Sequence, residues 1–369
     1  MAECSDRTGY LRRGMRSAMA LVGPLLLLLV TGCGVHTEPF TDQQGRVIPG
    51  SIAAMERLEI GGVSQSIWFR GRSRSSPALI LLHGGPGVSE AALFRHYNAE
   101  LENHFLVVYW EQRGAGRSYH ADMPPESMTI ERLLDDLDEV VELVAQRFGQ
   151  RKVVLLGHSW GTVLGTLYTF RRPEKVAAYV GVAQVSNMAQ QRELEYGYAI
   201  AEARKRENGE ALSELEAIGP PPYRSVDDGL RVGRWTERFG GTFYGDLSTG
   251  KLIRAALRTD EANLFDLIRF GQGNRFSLLH LEDEIAQLDL SGRYRSFQVP
   301  VFFLLGRHDR HLPSLLAERY FEQIAAPCKR LIWFERSAHN PPFEEPAGFN
   351  RVLIERVLPL AAAEAGCPQ

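Results

Sequence analysis

The sequence predicts an α/β fold, a mostly parallel sheet flanked by helices with a helical cap inserted before its last strands. Three observations predict it. Short runs that are apolar on both faces recur at Ala78–Leu82, Phe105–Trp110, Val153–Leu156, Ala177–Val185 and Val299–Leu305, as strands buried between two layers require. The stretch from Thr129 to Phe148 carries Leu133, Leu134, Leu137, Val140, Val141 and Val144 at helical spacing, which gives a covering helix, and strands alternating with helices make an α/β protein. From about Ser186 to Gln298 the alternation stops. That region is polar, glutamate-rich and helical in pattern, broken by Gly219-Pro220-Pro221-Pro222, and reads as a cap.

The N-terminus is not part of the fold. Arg12, Arg13 and Arg16 precede an apolar run from Ala18 to Val30 that is interrupted by Gly23-Pro24. A spanning helix needs about 20 apolar residues, so this shorter run is an export signal. Its end, Val30-Thr31-Gly32-Cys33, resembles the lipobox of bacterial lipoproteins, which implies that Cys33 is lipidated and becomes the mature N-terminus of a membrane-anchored protein of the cell envelope. Met15 is an alternative start. The expected organisation is a signal peptide over 1–32, a tether over 33–54, the first part of the core over 55–185, the cap over 186–298 and the second part of the core over 299–369.

With 369 residues, 44% of them hydrophobic, the chain can bury a large core. A net charge of −3 with no basic stripe gives no reason to expect a nucleic-acid partner. Of the cysteines, Cys4 leaves with the signal and Cys33 carries lipid, so Cys328 and Cys367 remain. In an exported protein these two are either joined or separate thiols, and their sequence separation does not decide which.

Within the core, Glu56–Ile60 and Gln65–Phe69 around Gly61-Gly62 read as a hairpin, and the strand Ala78–Leu82 runs into His83-Gly84-Gly85-Pro86-Gly87. That loop lacks the Gly-Lys-Ser/Thr ending of a phosphate loop; glycines after this strand instead suit a backbone that must approach a substrate carbonyl. Glu111 and Arg113, after the next strand, are expected to brace loops. The run Val153–Leu156 breaks into Gly157-His158-Ser159-Trp160-Gly161, a nucleophile elbow whose flanking glycines leave room for a strained strand-to-helix turn. Asp309 and His339 each follow a strand, and the order Ser159, Asp309, His339 is the one such a triad needs. Among the other histidines, His308 and His311 adjoin the acid, His158 is expected to point into the sheet and His83 to brace the glycine loop.

The motifs His83-Gly84-Gly85-Pro86-Gly87, Glu111-Gln112-Arg113-Gly114, Gly157-His158-Ser159-Trp160-Gly161, Gly306-x-x-Asp309 and Ser337-Ala338-His339 together resemble the proline iminopeptidase branch of the α/β-hydrolases. The resemblance implies an α/β-hydrolase fold and a Ser-His-Asp hydrolase that releases N-terminal residues, often proline, from peptides through an acyl-enzyme, without metal or organic cofactor. It implies an oxyanion hole made by the N–H groups of Gly85 and Trp160. It also implies a cap glutamate that binds the free α-amino group; the nearest match is Trp235-Thr236-Glu237, with Glu282 or Glu284 next. One departure is Glu111, where the family commonly has aspartate.

Two further readings stay open. A carboxylesterase or amidase acting on small acyl substrates needs an apolar pocket and no anionic site. A catalytically idle substrate-binding lipoprotein needs neither, and the complete set of triad residue types argues against it.

Overall fold

The structure, a computed structural model, describes residues 35–362. The expected export signal, Cys33 and Cys367 lie outside the described residues. Among the described residues no helix is long and apolar enough to cross a membrane. Core and cap belong to one compact unit that begins at Thr37.

The fold is that of an α/β-hydrolase. Eight strands run in the order β1 (Ile52–Ile60), β2 (Val63–Gly71), β4 (Leu106–Trp110), β3 (Ala78–Leu82), β5 (Val153–His158), β6 (Val176–Val182), β7 (Val301–Gly306) and β8 (Lys329–Phe334). β1 and β2 form the expected hairpin, longer at both ends than the sequence predicts, with Ile60 paired to Val63 across Gly61-Gly62. β2 also runs antiparallel to β4, and every pairing from there to β8 is parallel.

Alternate residues of each central strand serve two different cores, which is why no polar face interrupts their sequences. Ile80, Leu82, Leu155, Phe303 and Leu305 face one apolar layer, while Leu79, Leu81, Val154, Leu156, Phe302 and Leu304 face the other. The first layer includes Leu133, Leu137, Val140 and Val144 of α2 (Ile130–Phe148), which follows α1 (Ala91–Asn98). Thr129 caps α2 by accepting from the Arg132 N–H, and Gly149, at φ 72°, ends it.

The helix after the elbow is α3 (Gly161–Arg171). The cap comprises α4 (Met188–Lys205), α5 (Gly209–Ile218), α6 (Val226–Arg238), α7 (Thr249–Ala256) and α8 (Leu264–Ala286), and the core resumes with β7, α9 (Ser314–Gln323) and β8. The cap has a small apolar centre of its own, with Ala199, Leu215, Val232 and Trp235 buried together.

The expected tether over 33–54 is a correction. Residues from Thr37 onward are held on the domain because Arg70, buried in β2 and ion-paired to Glu102 at 2.9 Å, has donors left to satisfy. It donates to Thr37 Oγ1 and, at 2.8 Å, to the Glu38 carbonyl, and its guanidinium lies 4.9 Å from the Phe40 ring. β1 then starts at Ile52 rather than near Met55. Cys328, just before β8, is buried and disulfide-bonded.

Candidate active site

Ser159 stands at the end of β5 with φ 52°, in the left-handed region that non-glycine residues rarely enter. The turn holds it there. Its N–H donates to the Val182 carbonyl at 2.9 Å, and its own carbonyl accepts from Thr162 Oγ1 at 2.6 Å. The flanking glycines are steric requirements: a Cβ on Gly157 would lie 2.6 Å from the Gly161 carbonyl oxygen, and one on Gly161 would lie 1.8 Å from that of Leu82.

The loops after β7 and β8 bring Asp309 and His339 together. His339 Nδ1–H donates to Asp309 Oδ2 at 2.8 Å, and Asp309 Oδ1 accepts the N–H groups of His311 and Leu312, each at 2.9 Å. This fixes the tautomer and leaves Nε2 of His339 as the basic atom. Among the described residues Ser159 Oγ has no hydrogen-bond partner, so the serine-to-histidine contact is not made; such contacts commonly tighten only with substrate bound.

Glu344 sets the histidine loop from behind. Its Oε2 accepts the N–H groups of Ala338 and Asn340, on either side of His339, each at 2.9 Å. Burial raises its carboxyl to about 7, against the pull of these backbone donors.

His339 lies between two other histidines, each with its own glutamate. His158 is in ring contact at 5.2 Å and His311 meets it edge-on at 4.8 Å. His158 does not point into the sheet as expected: Nδ1 faces Glu90 Oε1 at 2.6 Å and Nε2 faces the His339 carbonyl at 3.0 Å. Two acceptors facing its two nitrogens favour the doubly protonated ring. Burial opposes its protonation, but the Glu90 charge outweighs burial and raises His158, while the same pairing holds Glu90 below its ordinary value against burial. His311 Nδ1 lies 2.7 Å from Glu195 Oε1 of α4, and Glu195 likewise overcomes burial and raises His311 to about 9. His339 itself is lowered, first by burial and then by these two histidines, against the attraction of Asp309. These surroundings therefore disfavour its protonated form.

The glycine loop faces the same place. Gly85 adopts φ 114°, and neither its N–H nor that of Trp160 donates to a protein acceptor among the described residues. His83 braces this loop as expected: it accepts the Gln112 N–H at Nε2 (3.1 Å) and donates from Nδ1 to the Gly84 carbonyl (2.8 Å). Gln112 also accepts the Trp160 indole N–H at 3.0 Å, joining the loop to the elbow. Arg113 is ion-paired to buried Asp136 at 2.9 Å, and Glu111 accepts the Arg117 N–H at 2.8 Å; both brace loops. Glu90 Oε2 accepts the Gly84 N–H at 3.0 Å, so one carboxylate serves both the glycine loop and His158.

A cavity of about 320 Å³ opens beside Ser159, Gly85 and Trp160, between core and cap. Its wall is largely aliphatic, with Val163, Val185, Met188, Leu278 and Ile285. Two carboxylates reach it, each matched by a cation: Glu195 by His311, and Glu282 by Arg192, whose two terminal nitrogens meet its oxygens at 2.7 and 2.9 Å. Glu237 and Trp235 are not on this wall. Trp235 is turned into the cap's own centre, its indole N–H donating to Glu214 at 2.8 Å, and Glu237 accepts the Thr249 N–H at 3.3 Å. Glu284 is also off this wall and accepts the N–H of Ile130.

The sequence reading missed Glu90, Glu195, Glu344 and also Gln191, which lines the cavity with no partner for either end of its amide.

Comparison with known proteins gives the same architecture. The probable aminopeptidase YbaC of Bacillus subtilis is 34% identical over 305 residues, covering 82% of this chain and 96% of that protein. A proline iminopeptidase of Saccharolobus solfataricus is 26% identical over 295 residues, covering 76% and 84%. The crystal structure of a proline iminopeptidase-related protein from Thermus thermophilus superposes with a TM-score of 0.59 at 20% identity, covering 84% of this chain and 99% of that one. The profile of the alpha/beta hydrolase family matches residues 79–352, more than half of the sequence, and the chain belongs to that family.

Proposed function

We propose that this protein is a serine hydrolase that removes N-terminal residues from peptides, in the manner of its aminopeptidase-like relatives. The observation that carries the catalytic part is the 2.8 Å bond between His339 and Asp309 beside a cavity lined by a serine in a left-handed elbow. Neutral His339 takes the Ser159 proton at Nε2 as Oγ attacks the scissile carbonyl. Asp309 holds the opposite nitrogen and stabilises the imidazolium that forms. The N–H groups of Gly85 and Trp160 receive the oxyanion, and His339 then gives its proton to the leaving amine. Water enters and hydrolyses the acyl-enzyme by the same steps in reverse.

The test is a panel of aminoacyl-arylamides against their N-acetylated counterparts, with fluorophosphonate labelling of wild type and Ser159→Ala. Preference for the free amine with label lost in the variant is the expected result. Equal rates on both substrates remove the aminopeptidase part, and a label retained by Ser159→Ala removes the serine. A second reading, an amidase or esterase for neutral acyl groups, is favoured by one observation: both carboxylates in the cavity are already matched by cations.

We further propose attachment to a membrane through lipid on Cys33, on the strength of Val30-Thr31-Gly32-Cys33. Metabolic labelling with a clickable fatty acid tests it, and an unlabelled wild type overturns it.

A further inference from the structure

Gln191, in the first turn of α4, is 1% exposed, and neither its amide nitrogen nor its amide oxygen has a hydrogen-bond partner among the described residues. Tyr223, between α5 and α6, has an orphaned hydroxyl as well. Both line the cavity beside Ser159. Buried polar groups are almost always paired, and leaving one unpaired is costly, so orphans gathered on one cavity wall point to a partner that arrives from outside. Because both ends of the Gln191 amide are unpaired, turning that amide over leaves the same two needs unmet.

The charged neighbours narrow the chemistry. On the same helix Glu195 is matched by His311, and Arg192 by Glu282, so the ionic capacity of this wall is already used. What remains open is neutral: one carbonyl acceptor, two N–H donors and one phenol. An ammonium offers nothing to the Gln191 N–H groups, and a carboxylate offers no donor to its carbonyl. An amide offers both. Burial pushes the Tyr223 hydroxyl upward, which keeps it a neutral donor and acceptor at working pH.

We infer that Gln191 and Tyr223 form a subsite for a neutral amide group of the substrate, either a side-chain carboxamide or a backbone peptide unit. This rests on the hydrolase reading of Ser159 above. An amide entering the cavity supplies the hydrogen bonds that these groups lack, whereas hydrocarbon leaves them unpaired.

Two isosteric comparisons separate the sources. Glutaminyl- against norleucyl-arylamide tests a side-chain amide, and an N-acetylglycyl ester against the pentanoyl ester of the same phenol tests a backbone one. Wild type is expected to favour the amide member of at least one pair by about tenfold or more in kcat/KM, as sites built to hydrogen-bond a group reject the analogue without it. Gln191→Leu should abolish or reverse that preference, and Tyr223→Phe should weaken it, while both variants still turn over the hydrocarbon member. Preference for hydrocarbon in both pairs, or an equal loss on both members in Gln191→Leu, overturns the subsite. Calorimetric binding to Ser159→Ala of glutamine against norleucine methyl ester, and of N-acetylglycine methyl ester against methyl pentanoate, reads the same preference without chemistry, so failure of the hydrolase reading leaves this test standing. Equal binding within both pairs there also overturns it.

Discussion

Glu195 of the cap and His311 of the core are joined at 2.7 Å, and the ring of His311 meets that of His339 edge-on at 4.8 Å. The cap thus touches the His339 ring through a charged pair, and the charge of that pair is part of that ring's surroundings.

The pair makes the cap's hold on the core depend on pH. His311 is raised to about 9 in the folded protein from an ordinary 6.5, so its stabilisation is complete below the ordinary value and lost as pH rises through about 9. The ring is partly exposed to the cavity, so the effect is modest. Between pH 7 and 10, the melting temperature of wild type should fall by about 2 °C more than that of Glu195→Gln. Parallel curves for the two proteins would show that the pair does not titrate in this range.

Ser159→Ala should lose about 10⁴-fold or more in kcat while melting as wild type does. The hydroxyl makes no hydrogen bond to the described residues, so its removal costs the fold nothing that the elbow's backbone bonds do not still supply. Circular dichroism and single-turnover kinetics check the two halves.

Acidification should silence the enzyme only below the ordinary histidine range, because His339 is lowered by burial and by its cationic neighbours. Glu90→Gln leaves His158 without its counter-charge, the ring loses its proton, and one of the cations beside His339 disappears. The acid limb of kcat/KM should therefore move upward in this variant. Glu344, raised to about 7, is the other group titrating nearby, and Glu344→Gln identifies its step. An unmoved acid limb in Glu90→Gln would mean that His158 carries no charge in wild type.

Gly85→Ala should cost about 10²- to 10³-fold in kcat with little change in KM, the loss typical of one oxyanion donor. At φ 114° an added Cβ would lie 2.7 Å from the Gly87 nitrogen, so the loop must shift and carry the Gly85 N–H with it. Thermal melting beside the kinetics separates this from general destabilisation.

How much of this was legible in the sequence depends on how local each determinant is. The elbow is local: three residues specify it, and the steric reason lies within the turn. Asp309 and His339 are legible because a parallel sheet delivers the ends of neighbouring strands β7 and β8 to one edge, so two loops must meet there. Glu90 and Glu195 were not legible. Each finds its histidine from far along the chain, 68 and 116 residues away, and no periodicity reports such a meeting. Trp235 and Glu237 show the opposite error. The Trp-Thr-Glu pattern is plain in the sequence, but the phase of α6 turns the tryptophan into the cap's centre. The residues from Thr37 to Ser51 look like a loose linker by composition, yet Arg70 holds Thr37 and Glu38, and Arg74 holds Gly50 and Ser51.

α8 also reaches the glycine loop: Asn274 donates to the Pro86 carbonyl at 2.7 Å, and the Gly273 carbonyl oxygen lies so near Gly87 that a Cβ there would sit 2.5 Å away. The loop that carries Gly85 is thus clamped by the same helix whose Leu278 and Ile285 line the cavity. One helix thus fixes both the cavity wall and the loop beside Ser159, so a substitution that displaces α8 should alter the two together.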